Sequence, residues 1–193
     1  IVLVDVLTAL NAGAGAVVDL RNALTDVLGC FRQGRNSIVS AMFGRRADRI
    51  LFAATKADLL HHESHDRLEA ILRHILRDAA ARAEYAGADI DVTALAAIRA
   101  TREAKVKQRG VELECIAGTP EKGETLGETE FDGETEAAIF PGDLPENPQQ
   151  AIDGSLEGAL KFLRFRPPET EGKVFPHIRL DRAIDFLIGD RLA

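Results

Sequence analysis

The sequence predicts an α/β fold organised around a doubly wound parallel sheet. Two runs, residues 1–7, apolar but for Asp5, and residues 50–54, apolar throughout, have no polar face to give to water. Strands of that kind lie inside parallel sheets covered by helices on both sides. The stretches that follow them carry apolar residues at helical spacing, and the order strand, helix, strand, helix, strand belongs to right-handed crossovers.

Residues 1–7, Ile1-Val2-Leu3-Val4-Asp5-Val6-Leu7, read as the first strand, and so apolar a beginning leads to the expectation that the chain starts in the middle of a domain. Val17, Leu20, Leu24, Val27, Leu28 and Phe31 then recur at helical spacing and run into a basic, glycine-punctuated stretch over residues 34–46. The second strand ends in Thr55-Lys56-Ala57-Asp58. Ser64 is an N-cap candidate for a helix whose Leu68, Ile71, Leu72, Ile75, Leu76 and Ala79 form one stripe, with Gly87 as its stop. Residues 94–100 read as a third strand. Beyond Lys105 the pattern changes: Val111, Leu113 and Cys115 alternate, Gly-Glu-Thr occurs at 123–125, 127–129 and 133–135, and residues 137–140 read as a return strand. This predicts a β-hairpin with a long acidic, low-complexity loop. After proline-rich turns at Pro145, Pro148 and Pro167-Pro168, Ile184, Leu187 and Ile188 mark a short terminal helix expected to pack back on the sheet.

Composition narrows the function. With 193 residues, 46% hydrophobic, the chain can bury one good core with a smaller appendage. A formal net charge of −7 and the lack of a basic stripe argue against nucleic-acid binding, which needs cations against phosphates. Cys30 and Cys115 match neither a disulfide framework nor a zinc motif, which predicts a reducing, cytoplasmic setting. No apolar run approaches the ~18 residues that span a bilayer.

The tetrapeptide Thr55-Lys56-Ala57-Asp58 carries the chemistry. Ligands of open α/β sheets bind beyond the carboxyl ends of the strands, where Lys56 and Asp58 fall. An ionised carboxylate accepts two parallel hydrogen bonds from a base edge with two adjacent donors, which guanine has and adenine lacks. Asp58 would select guanine, Lys56 would lie along base and sugar, and Thr55 would bond neighbouring loops.

Several separated blocks make the chain resemble the carboxy-terminal half of the YcjX family of P-loop nucleotide-binding proteins. They are Val2-Leu3-Val4-Asp5 with Leu7-Thr8-Ala9-Leu10-Asn11, residues 51–58, Ile98-Arg99-Ala100-Thr101, Phe140-Pro141-Gly142, and Pro176-His177-Ile178-Arg179-Leu180-Asp181 with Phe186-Leu187-Ile188-Gly189-Asp190. The resemblance implies a GTPase-like P-loop fold, GTP or GDP as ligand, and a bacterial stress role alongside a phage-shock protein partner. It puts Thr55, Lys56 and Asp58 on the base-recognition motif of GTPases. It also puts residues 98–101 where GTPases carry a Ser-Ala-Lys loop, with the Ala100 amide toward guanine O6 and Thr101 beside it. Gly-x-x-x-x-Gly-Lys-[Ser/Thr] occurs nowhere in the sequence, so phosphate cradle and Mg²⁺ ligand are expected in an amino-terminal half.

Other patterns favour plainer readings. Gly13-Ala14-Gly15 invites a dinucleotide fingerprint, but Val18 stands at the third glycine position. His62-Glu63-Ser64-His65 is one residue short of His-Glu-x-x-His, so His61, His62 and His65 are read as a solvated helix start and no metal is assigned. Arg35, Arg45, Arg46 and Arg49 are read as the exposed end of a helix, His177 as a packed, hydrogen-bonded side chain, and Asp5 is not assigned to magnesium.

The chain is thus expected to hold the second half of a GTPase-like core in residues 1–104, a β-hairpin insertion in 105–150 and a carboxy-terminal segment in 151–193. The nucleotide-binding residues are Thr55, Lys56, Asp58, Ala100 and Thr101, with GTP hydrolysis belonging to the intact protein and no catalytic residue assigned. The rival reading is a non-hydrolysing regulatory or interaction module, favoured by the acidic hairpin. The expected location is the cytoplasm, with peripheral contact at the inner membrane as the variant.

Overall fold

In the computed structural model, residues 1–30, 49–85, 88–108, 110–169 and 174–192 are described. Phe31, the basic stretch 34–46 with Arg35, Arg45 and Arg46, and the Gly87 stop lie outside the described residues. The fold is mixed α/β. Strands β1 (Val2–Val4), β2 (Arg49–Ala54) and β3 (Asp89–Ala94) form a parallel sheet in the order β1-β2-β3. Phe52 pairs with Val2 on one side and with Val92 on the other.

Both faces of β2 are buried, for the reason its sequence suggests. Ile50, Phe52 and Ala54 face a core built with α1 (Val6–Asn11), α2 (Ala14–Cys30), α3 (His65–Tyr85) and α4 (Pro148–Ile152). Leu51 and Ala53 face the opposite way, onto Leu180, Ala183, Phe186 and Leu187 of α5 (Leu180–Leu192). All six residues of the α3 stripe, Leu68 through Ala79, are buried. On α2 the buried positions are Val17, Leu24 and Leu28, with Val27 turned outward.

Three elements differ from the sequence reading. The first strand stops at Val4, because the Asp5 carboxylate accepts the Thr8 backbone N–H at 3.1 Å and caps a helix starting at Val6. The third strand is Asp89–Ala94 and not residues 94–100. Asp91 in that strand is held by Arg73 at 2.6 Å and Arg182 at 3.3 Å, so a polar residue at the strand's margin costs little. On α5 the packing face is Leu180, Ala183, Phe186 and Leu187, whereas Ile184 and Ile188 are exposed.

A second, antiparallel sheet has the order β4-β5-β8, made of Arg102–Gln108, Val111–Gly118 and Ala137–Ile139. β5 pairs with the earlier β4 as well as with the return strand β8, and the alternation in Arg102–Gln108 is polar enough to hide β4 in the sequence. The acidic loop between β5 and β8 carries the small ribbon of β6 (Thr125–Leu126) and β7 (Thr129–Glu130). The repeated Gly-Glu-Thr is a turn device: Gly123, Gly127 and Gly133 all have φ between 61° and 85°, which glycine adopts without steric cost. Ile116, Ile139, Leu163 and Phe165 make a small second core beneath this sheet, and Leu59 and Ala100 pack against it. Among the described residues no helix is long and apolar enough to cross a membrane.

Candidate nucleotide-base site

The five residues predicted for nucleotide binding come together where the parallel strands end. Thr55 directly follows β2 and is fastened to the end of β1: its N–H donates to the Val4 carbonyl at 2.9 Å and its hydroxyl to the same oxygen at 3.2 Å. Lys56 then turns the chain with φ 62°, a left-handed conformation that costs a lysine about 1–2 kcal/mol. Its ammonium is drawn to the Asp5 carboxylate at 2.6 Å, an ion pair with both partners solvent-accessible. Ala57 is buried, and its N–H donates to the Leu95 carbonyl at 3.2 Å.

Asp58 is the middle residue of a short 3₁₀ turn, Ala57–Leu59, and its side chain meets the loop that follows β3. The Ala100 N–H donates to Asp58 Oδ2 at 3.1 Å, and the Thr101 hydroxyl donates to the Asp58 carbonyl. Thr101 is buried, while Asp58 and Ala100 keep partial access to solvent. Burial pushes the Asp58 carboxyl above its ordinary value, and the Ala100 amide opposes that only in part. The site therefore sets a partly desolvated carboxyl group against a backbone donor that it engages.

The loop carrying Ala100 is held by residues whose role the sequence did not disclose. Ile178 and Ala96 exchange backbone hydrogen bonds at 2.8 and 3.2 Å, and the Arg99 N–H donates to the Pro176 carbonyl at 2.7 Å. Next to them, Arg179 sits at φ 56° and forks onto Asp66 at 2.6 Å and onto Glu69. Glu69, 8% exposed, also accepts from Ala94 N–H at 2.9 Å and from the Thr93 hydroxyl at 3.1 Å. The block Pro176-His177-Ile178-Arg179 is thus a strap across the loop. His177 within it is exposed rather than packed. Gly118 touches the loop from the other side, since a Cβ there would lie 3.1 Å from the Ala100 carbonyl oxygen and 2.9 Å from Phe165.

Asp5 pairs with Lys56 and caps α1. Burial works against its ionisation, but hydrogen bonds from Lys56 and Thr8 overcome that and hold its carboxyl below the ordinary range. Gly13, φ 97°, lies between two helices and not after a strand, so the incomplete glycine fingerprint has no structural counterpart. The histidines differ from their reading as a solvated helix start. His65 is buried with Nε2 2.9 Å from the Ala57 carbonyl, and burial lowers its pKa. His61 is buried as well, and only His62 reaches solvent.

Residues 1–192 match the family described as the YcjX-like family, DUF463. The chain belongs to this family. It is 35% identical over 194 residues to a protein of Escherichia coli named "Ras-like GTPase YcjX", covering 100% of the chain and 39% of that protein. It is 30% identical over 197 residues to the Shewanella oneidensis protein of the same name, covering 100% of the chain and 38% of the relative. The chain therefore spans about two fifths of the length of these curated relatives.

Proposed function

We propose that this YcjX-like chain supplies the base-recognition half of a guanine-nucleotide site in a GTPase-like P-loop fold, and that the intact protein binds and hydrolyses GTP. One observation carries the reading: the Asp58 carboxylate and the Ala100 amide, from two different loops, meet at the carboxyl end of a parallel sheet. A guanine that displaced their mutual hydrogen bond would present two donors to the first and its O6 to the second. Adenine has no such pair of donors to offer the partly desolvated carboxylate, the arrangement that discriminates most sharply between similar ligands. Thr55 secures the loop to β1 and Thr101 secures it to Asp58. On this reading the Lys56 ammonium exchanges Asp5 for the sugar side of the ligand.

Phosphate binding and Mg²⁺ are assigned to residues outside this sequence, which has no Gly-x-x-x-x-Gly-Lys-[Ser/Thr]. The second reading, a non-hydrolysing regulatory module working with a protein partner such as one of the phage-shock system, is supported by the acidic β5–β8 loop. No step of hydrolysis calls for that loop.

The test is calorimetric titration of the native-length protein and its Asp58→Asn variant with GDP, ADP and XDP. The expected result is GDP preferred over ADP by about a hundredfold or more, with the variant turning to XDP. Equal binding of GDP and ADP, with no effect of the substitution, would leave the interaction module as the better account.

A further inference from the structure

Three residues beyond Asp58 the chain makes a second polar cluster that the base site does not use. His61, 5% exposed, sits under β4 and β5 with its Nε2 3.0 Å from Glu114 Oε2 and 3.5 Å from Glu103 Oε2. His62 Nδ1 is 2.6 Å from the same Glu103 Oε2. One ligand atom each from His61, His62 and Glu63 lie within 4.8 Å of one another. Residues from three separate elements, the 3₁₀ turn His62–Ser64, β4 and β5, converge there.

Hydrogen bonding does not account for the arrangement. Glu114 Oε2 is buried without a hydrogen-bond donor, and the 3.0 Å approach of His61 Nε2 lacks the alignment of one. His61 Nδ1 is likewise buried and unpartnered. His61 Nε2 and Glu114 Oε2 thus stand 3.0 Å apart with no hydrogen bond aligned between them, a buried contact that a cation would complete. The other oxygen of each carboxylate is already engaged: Arg99 holds Glu103 Oε1 at 3.2 Å, and Lys105 holds Glu114 Oε1 at 2.7 Å. That leaves both Oε2 atoms aimed inward, with Arg99 and Lys105 behind them as outer-shell partners stand behind metal ligands. Four carboxylates (Glu63, Glu103, Glu112 and Glu114) stand against two fixed cations, Arg99 and Lys105, so 4 − 2 leaves two negative charges.

We propose that His61, His62, Glu103 and Glu114 form a binding site for one divalent transition-metal cation of the zinc type. Ligands about 2.0–2.2 Å from a tetrahedral ion stand about 3.3–3.5 Å from each other. The His61–Glu103 spacing of 3.5 Å suits that, and the His61–Glu114 spacing of 3.0 Å reaches it with a small opening of the pair. His62, more than half exposed on a short turn, rotates to open its 2.6 Å contact. Two imidazoles select against Mg²⁺ and Ca²⁺, which prefer all-oxygen shells. Its place makes the ion a staple, tying the segment after Asp58 to the antiparallel sheet. The assignment stands whether or not Asp58 reads guanine.

The experiment is titration of the chelator-stripped, native-length protein with Co²⁺, read by its visible d–d bands, with Zn²⁺ competing. Expected are one equivalent of four-coordinate Co²⁺, displacement by Zn²⁺ and not by Mg²⁺, and a melting temperature that rises with metal. His62→Ala, a substitution at the exposed ligand, and Glu114→Gln should each weaken binding by about a hundredfold, with His74→Ala binding as the parent does. Absence of a Co²⁺ spectrum at micromolar metal, or undiminished binding by both His62→Ala and Glu114→Gln, overturns the proposal. In that event the cluster is held by the His61–Glu114 and His62–Glu103 contacts alone.

Discussion

Glu69 offers the sharpest test of how the base loop is held. One buried oxygen, Oε1, accepts from the Ala94 N–H, the Thr93 hydroxyl and Arg179, with Arg182 at 3.4 Å. Glu69→Ala removes all of these together. It leaves the Ala94 amide without an acceptor, at a cost of about 1–3 kcal/mol, while the fully buried Thr93 hydroxyl keeps only the Ala94 carbonyl at 3.3 Å. It also takes from Arg179 its more buried carboxylate, although Asp66 at 2.6 Å still pairs with the guanidinium. Because Arg179 is partly exposed and keeps Asp66, the lost pair adds about 1–2 kcal/mol, short of the about 3–5 kcal/mol of a fully buried pair, and the expected loss is about 2–5 kcal/mol in all. Glu69→Gln keeps an acceptor oxygen for Ala94 and Thr93 and gives up the charge, so about half that loss is expected. Urea denaturation of the parent and both variants reads the difference as a shift in midpoint at constant m. A Glu69→Ala loss below about 1 kcal/mol, or one equal to that of Glu69→Gln, would refute the account of a shared buried acceptor. Because Ala94 leads into residues 95–101, the same variant should weaken GDP binding more than a remote destabilising change of equal size.

Other outcomes follow from neighbouring contacts. Gly118→Ala drives a Cβ against Phe165 and the Ala100 carbonyl, so it should cost about 1–3 kcal/mol in thermal or urea melts and reduce nucleotide affinity as well. Phe52→Ala in the central strand should cost about 3–5 kcal/mol by the same assay, since Phe52 is wholly buried between β1 and β3. His65 has its folded pKa lowered by burial, below the 6.5 of an exposed histidine, so the unfolded chain takes up the proton first. Its contribution is intact above that value and declines as pH falls from there toward the folded pKa. Urea midpoints measured from about pH 7.5 to about pH 5.5 should drop more steeply for the parent than for His65→Gln.

The sequence alone determined the parts in which residue type and periodicity act locally. β2 was legible because five apolar residues in succession, 50–54, have no polar face to expose. The α3 stripe was legible because six apolar residues keep a helical period. The Thr55-Lys56-Ala57-Asp58 segment was legible because it immediately follows the buried strand, so the fold had no choice about which end of the sheet it occupies. The end of β1 was also written locally, in Asp5 three residues before Thr8, a capping signal that the apolar run around it concealed.

Tertiary structure decided what depends on partners distant in the chain. Asp89–Ala94 is a strand because Arg73 and Arg182 neutralise Asp91, and residues 94–100 bend away because Ile178 and Pro176 take their backbone hydrogen bonds. The meeting of Asp58 with Ala100 spans 42 positions. The burial of His61 beneath Glu103 and Glu114 likewise exists only once β4 and β5 fold over the turn that follows Asp58. Local pattern sets which face an element buries, but whether a charged or imidazole side chain ends in water or against another charge is set by desolvation. Desolvation is a property of the packed whole.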